Sequence, residues 1–209
     1  MNALNSNRYD TIKKTLDVDE GDNEKSRAMK QKVFTLIDEC HYAPWHSLIF
    51  DMINGACTVD RPDEDKRKEV IDFLEIISQY VIAQGEKLAP AQRKVAALLK
   101  DVNQYGVTES RYFRVMIGLL TLSEELFDYA FKGYTGNIDF IERAKFHIEK
   151  NILRNLTLDD IAAKSFVSSC YLSRAFKKIT GIGFSNYIAM RKIAIAKSLL
   201  QFSDLKVNT

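Results

Sequence analysis

Between Lys164 and Lys192 the chain carries side chains suited to one kind of chemistry, the grip on a nucleic-acid duplex. Arg174 can donate two hydrogen bonds to the paired acceptors of a guanine edge. Ser169, Cys170 and Ser173 are short enough to sit against thymine methyls or to form weak hydrogen bonds. With Arg174 they are the expected base readers. Lys164, Lys177, Lys178, Arg191 and Lys192 are the expected phosphate contacts, which set affinity and register without reading sequence. For Arg174 the alternatives are contact with phosphate alone, or an ion pair with Asp159 or Asp160. For Cys170 the alternative to a small contact residue is a redox-sensitive thiol.

These groups need a frame, and the sequence supplies one. Thr157, then Asp159 and Asp160, predict a helix start with Leu158, Ile161 and Ala162 as its apolar stripe. Ser165–Val167 interrupt it. Ser168 opens a second helix over about residues 168–179, and Gly181 ends it. That helix is expected to bury Leu172, Ala175 and Phe176 and to turn Ser169, Cys170, Ser173, Arg174, Lys177 and Lys178 outward. Two short helices, a tight turn and a basic outer face make a helix-turn-helix, whose second helix lies in the DNA major groove. Phe166 in the turn is expected to pack on the core; the alternative is contact with the DNA backbone.

Ala162, Ser168, Tyr171-Leu172-Ser173-Arg174, Phe176-Lys177, Thr180-Gly181, Phe184, Tyr187, Ala196 and Leu199-Leu200 hold a common spacing. Together they resemble the first DNA-binding motif of AraC/XylS-type transcription regulators. Ala144, Ile148 and Asn151 fit the helix that precedes that motif. The resemblance implies a sequence-specific transcription regulator with double-stranded DNA as its partner. Two positions depart from the pattern. Lys192 stands where the family usually has Arg, which keeps the charge and loses the bidentate fork. Phe166 is bulky where a small or polar residue is common. Family members carry a second helix-turn-helix. Here Ser203–Val207 looks like the opening of it and Thr209 is the last residue. The expected DNA-binding subdomain, 137–209, is therefore incomplete, whether as a shortened chain, a natural short relative or a protein that works with one motif.

Charge is unevenly placed. Residues 141–209 hold 12 Lys/Arg against 5 Asp/Glu, a balance of +7 in a chain of 209 residues whose net charge is +2. A basic module joined to an acidic remainder suits a nucleic-acid-binding protein. Cys40, Cys57 and Cys170 have no paired spacing and read as reduced thiols. No apolar run has the ~20 residues of a membrane span, and the N-terminus lacks the apolar stretch of a signal peptide. A cytoplasmic location is expected.

The first 23 residues are polar and are expected to form a flexible arm, with one short helix around Tyr9–Leu16. Helices are predicted from Asn23 to about His41, from Pro44 to Gly55, from a start at Asp60 and Pro62 to Gly85, from Pro90 to Gly106, and from Thr108 as cap to Gly133. Their apolar faces carry Val33, Phe34, Ile37 and Cys40; Trp45, Leu48, Ile49 and Met52; Val70, Phe73, Leu74, Ile77 and Val81; Val95, Leu98, Leu99 and Val102; and Tyr112, Phe113, Met116, Leu119, Leu120, Leu126 and Phe127. No alternating strand pattern persists. The fold expected is all-α: an N-terminal helical bundle, 24–133, followed by an AraC-type helix-turn-helix subdomain. The β-barrel effector domain of many family members has no counterpart here. Gly133–Asn137 is the expected linker. The bundle is read as a regulatory or dimerisation domain, with a homodimer expected and room between helices for a small apolar effector.

No phosphate-binding glycine loop, nucleophile elbow or paired catalytic carboxylates occur, so no enzyme and no cofactor are expected. The acidic run from Asp60 to Asp65 reads as a helix start. Cys40, His41 and His46 do not share a helical face, and no metal site is expected. Two function classes stand: a DNA-binding regulator, and an antagonist that pairs with another regulator through the N-terminal bundle without binding an operator.

Overall fold

A computed structural model describes residues 24–58, 62–108, 111–134 and 139–202, without the side chains of 56–58 and 201–202. The expected arm at 1–23, Asp60, residues 135–137 of the expected linker and Ser203–Val207 lie outside the described residues. The described residues are helical and contain no strand. The chain divides into two compact units, Met1–Gly136 and Asn137–Thr209.

The first unit contains α1 (Glu24–Asp38), α2 (Tyr42–Thr58), α3 (Asp63–Ala83), a 3₁₀ turn at Gly85–Leu88, α4 (Ala89–Tyr105) and α5 (Tyr112–Gly133). Each helix packs on its successor in the chain, and α5 also closes against α1 and α2. Its centre is aromatic. The Trp45 ring stands 5.8 Å from those of Phe73 and Phe127, and the Tyr42 ring meets Phe127 edge-on at 5.1 Å. The polar ends of these side chains are satisfied, as burial requires. The Trp45 indole N–H donates to Ser123 Oγ at 2.9 Å, and the Ser123 hydroxyl donates to the Leu119 carbonyl at 2.7 Å. The Tyr80 hydroxyl donates to Asp38 at 2.8 Å and that of Tyr112 to Asn54 at 2.9 Å.

The apolar spacing located these helices, and their ends needed more. Gly55 does not stop α2, which runs on to Thr58; a glycine lowers helix propensity but does not forbid the helix. Inside α2 the buried stripe takes Ile53, while Leu48 and Met52 are half-buried. Thr108 does not cap α5, which begins at Tyr112; the Thr108 carbonyl accepts from the Arg111 N–H at 2.9 Å. Gly106, with φ +70°, ends α4 as expected.

The second unit contains α6 (Phe140–Lys150), α7 (Leu158–Lys164), α8 (Ser169–Thr180) and α9 (Phe184–Phe202). Asp139, Thr157 and Ser168 cap the first three of these, each side chain accepting a backbone N–H of the first turn. Such caps contribute about 1 kcal/mol each. At α7 the cap is reciprocal: the Thr157 hydroxyl accepts from the Asp160 N–H at 3.1 Å and donates to the Asp160 carboxylate at 2.6 Å. The core is Ile141, Ala144 and Ile148 of α6, Ile152 of the turn that follows it, Ile161 and Ala162 of α7, Leu172 and Phe176 of α8, and Phe184 of α9. Tyr187, Ile188 and Ile195 pack against it from α9. Among the described residues no helix is long and apolar enough to cross a membrane.

Candidate nucleic-acid interface

α7 and α8 are held by their buried residues, and α8 presents what remains. Leu172 and Phe176, four apart, point into the core with no exposed surface. The opposite side carries Cys170, Ser173, Arg174, Lys177 and Lys178, all exposed. Gly181 in the left-handed conformation, φ +79°, closes the helix, its N–H donating to the Lys177 carbonyl at 3.0 Å. The result is a helix of 12 residues with one apolar seam and a polar, basic outer face.

Arg174 sits at the middle of that face. It pairs with neither Asp159 nor Asp160. Its Nη2 lies 3.0 Å from Cys170 Sγ and its Nε donates to the Cys170 carbonyl at 3.4 Å, one turn back along α8. The guanidinium is thus laid along the helix toward its N-terminal half, the end where base contacts concentrate in this geometry. Lys164, the last residue of α7, is exposed as well.

Two expected site residues stand differently. Ser169 is half-buried, and its hydroxyl donates to the Asp159 carboxylate of α7. It ties the starts of the two helices together instead of standing clear on the outer face. Arg191 is not on an exposed face: its Nε donates to Glu149 Oε1 at 2.6 Å and its Nη2 to Oε2 at 3.3 Å. The side chains of Arg191 and Glu149 retain only 17% and 7% of their exposure. Burial of an arginine is tolerated because the paired carboxylate matches its fork. Lys192, one residue on, is exposed and donates to the Arg154 carbonyl at 3.4 Å. Beside the ion pair, the Tyr187 phenol is pushed up to about 12, first by burial and then by the charge of Glu149.

Phe166 corrects the expectation of core packing. It is 80% exposed. Its backbone has φ +59°, and its ring faces the Arg143 guanidinium of α6, 4.9 Å from carbon to centroid. Arg143, Glu149 and the clamping role of Asp159 were missed from the sequence. Glu149 and Arg191 are 42 residues apart, and no local pattern joins them. Asp159 reads in sequence as a helix-start carboxylate or a partner for Arg174, and its actual partner is Ser169.

Among the described residues no group of three or more His, Cys, Asp and Glu side chains could hold a metal ion. Cys40 is buried at the end of α1, His41 lies 2.9 Å from Glu39, and His46 stacks between Tyr42 and Phe50.

Capped helix, tight turn and second helix with a basic outer face are the parts of a helix-turn-helix. Residues 148–189 match the family of bacterial regulatory helix-turn-helix proteins, AraC family, and the C-terminal unit carries a domain of that type. Curated relatives agree. The transcriptional activator AarP of Providencia stuartii is 42% identical over 60 residues, which are 29% of this chain and 44% of the relative. The regulatory protein PocR of Salmonella typhimurium is 30% identical over 76 residues, 36% of this chain and 25% of its own. The transcriptional activator Btr of Bacillus subtilis is 27% identical over 126 residues, 60% of this chain and 23% of its own. The chain spans less than half the length of each of these relatives. No solved structure matches it.

Proposed function

We propose that the chain is a sequence-specific DNA-binding transcription regulator in which α8 enters the major groove. The observation that carries this reading is the face of α8: Cys170, Ser173 and Arg174 stand exposed together on a helix of AraC type, with lysines at its C-terminal end. In the proposed complex Arg174 reads a base edge and Cys170 and Ser173 fill the space beside it. Ser169 is a minor reader, because its hydroxyl is engaged by Asp159. Lys164, Lys177, Lys178 and Lys192 meet phosphates. Arg191 is left out of that set, since its fork is taken by Glu149.

Arg174→Ala should cost ~1–3 kcal/mol on a preferred duplex and little on random DNA, because a bidentate base contact is lost. Lys178→Ala should weaken all sequences alike and reduce the salt slope by about one. Binding of both variants is measured across a salt series, after equal helicity and melting have been shown. Proportional loss on both duplexes would make Arg174 one more phosphate contact. An affinity of the parent chain that hardly moves with salt would count against the whole reading, since one recognition helix leans heavily on backbone charge.

The N-terminal unit is proposed as a regulatory and dimerising domain, the source of a second DNA motif at high effective concentration. Sedimentation of the full chain at tens of micromolar should give a dimer; a monomer at that concentration would sink this part of the proposal and leave the DNA reading standing.

A further inference from the structure

We propose that the turn between α7 and α8 is itself a DNA contact, in which the Phe166 ring, backed by the Arg143 guanidinium, rests on the sugar–phosphate wall beside the groove that α8 enters. The inference rests on the reading of α8 as the recognition helix.

The backbone of the turn is the first argument. The Val167 N–H donates to the Ala162 carbonyl and the Phe166 N–H to the Ala163 carbonyl, both at 3.1–3.2 Å. That pair of bonds is the Schellman end of a helix, and Phe166 occupies the left-handed position where glycine is usual. A bulky side chain at φ +59° is held against a steric preference. Strain of this kind persists only where the surroundings enforce it, and it gathers at functional sites.

A second residue of the chain shows what a structural reason looks like. Cys40 ends α1 in the same way, with φ +58°, and its N–H and that of His41 donate to Ile37 and Leu36. Cys40 is small and 1% exposed, so burial accounts for it. Phe166 is 80% exposed and has no such account.

What surrounds the ring names the occupant. Arg143 stacks on it at 4.9 Å, a distance at which a cation and a ring face attract. One turn away on α6, the Phe140 ring lies 5.1 Å from that of Tyr171 on α8. Tyr171 in turn stands one helical turn before Arg174. The aromatic and cationic patch is therefore continuous with the reading face. Lys164 lies two residues before Phe166, and no acidic residue occurs between Ile161 and Ser203. An apolar ring beside cations suits deoxyribose flanked by phosphates.

The test uses the full chain, a labelled duplex selected from a random pool by the parent chain, and a random-sequence duplex. Phe166→Gly removes the ring and relieves the backbone. We expect unchanged melting or a rise of a few degrees, with binding to both duplexes weakened by about 3–10-fold. Arg143→Ala should lower the salt slope by about one, and Arg143→Lys should restore the slope without the full affinity, since lysine keeps the charge and loses the stacked plane. Unchanged binding by Phe166→Gly would overturn the proposal alone. So would a lower melting temperature of that variant, which would make the ring a structural element. Normal DNA binding with a lost transcriptional response would also overturn it and would place a protein on the patch. Failure of the parent chain to bind any duplex would bring down the recognition reading and this inference with it.

Discussion

Phe176→Ala should unfold the C-terminal unit at temperatures where the N-terminal unit is still intact, and DNA binding should vanish with it. Phe176 has no exposed surface, and its ring meets those of Tyr187 and Phe184 edge-on at 5.2 and 5.9 Å. It is the contact through which α8 and α9 share one core. Truncating a buried phenylalanine costs ~3–5 kcal/mol, from lost transfer energy and from the cavity left behind. A small helical unit has little more than that to lose. A thermal melt followed by helicity should therefore show an early transition that the parent chain lacks, displaced by ~10–30 °C. Both specific and random duplexes should lose binding together, unlike the split expected of Arg174→Ala. A Phe176→Ala chain that melts within a few degrees of the parent would mean that the cluster can collapse around the gap.

Nearly as large an effect should follow from breaking the ion pair between α6 and α9. Glu149→Ala takes the carboxylate from the Arg191 guanidinium, and Arg191→Ala takes the guanidinium from the carboxylate, each side chain being largely buried. Removal of one partner of a buried pair costs ~3–5 kcal/mol, most of it the penalty of the charge left behind. The double variant Glu149→Leu, Arg191→Met should recover much of that loss, because neither charge of the pair then remains. Equal destabilisation by the single and double variants would show that packing, not charge, is what the two side chains supply.

Tyr187 gives this pair a second readout. Its phenol is raised from 10.0 to about 12 in the folded unit, by burial first and by Glu149 next. A phenol that ionises later in the folded than in the unfolded chain favours folding fully below pH 10, and that advantage is lost as pH rises from 10 through about 12. Glu149→Ala takes away one of the raising influences. In any folded fraction of that variant, Tyr187 should ionise at lower pH than in the parent chain, seen as the difference from a Tyr187→Phe titration. An unmoved phenol would separate the two groups electrically.

The sequence carried the local half of this structure well. Thr157, Ser168 and Gly181 act over one turn, so their residue types announce the start and end of α7 and α8. Leu172 and Phe176 repeat at helical spacing, and the outer face of α8 follows from them by exclusion. The same logic placed the apolar faces of α1, α3 and α4. It failed where a residue's partner lies far along the chain or where the backbone overrides residue type. Arg191 looks like any exposed basic residue until Glu149 is brought against it from 42 residues away. Ser169, three residues before Leu172 and seven before Phe176, stands on the seam side by rotation, so its half-burial was legible in the spacing, while its bond to Asp159 was not. Phe166 has the hydropathy of a core residue, and the left-handed end of α7 turns it out to solvent. Gly55 and Thr108 are good punctuation by type, yet α2 runs through one and α5 starts beyond the other.

The way Trp45 is seated gives the chain a built-in optical label. It is the single tryptophan of the sequence, 1% exposed, in contact with Phe73 and Phe127 and hydrogen-bonded to Ser123. An indole so shielded emits toward the blue and shifts red once water reaches it. Phe73, Phe127 and Ser123 belong to the N-terminal unit, and the C-terminal unit has only tyrosine and phenylalanine to offer. The wavelength of intrinsic emission therefore speaks for one half of the molecule, while DNA binding speaks for the other. A substitution that silences the second without moving the first has acted where α8 is held.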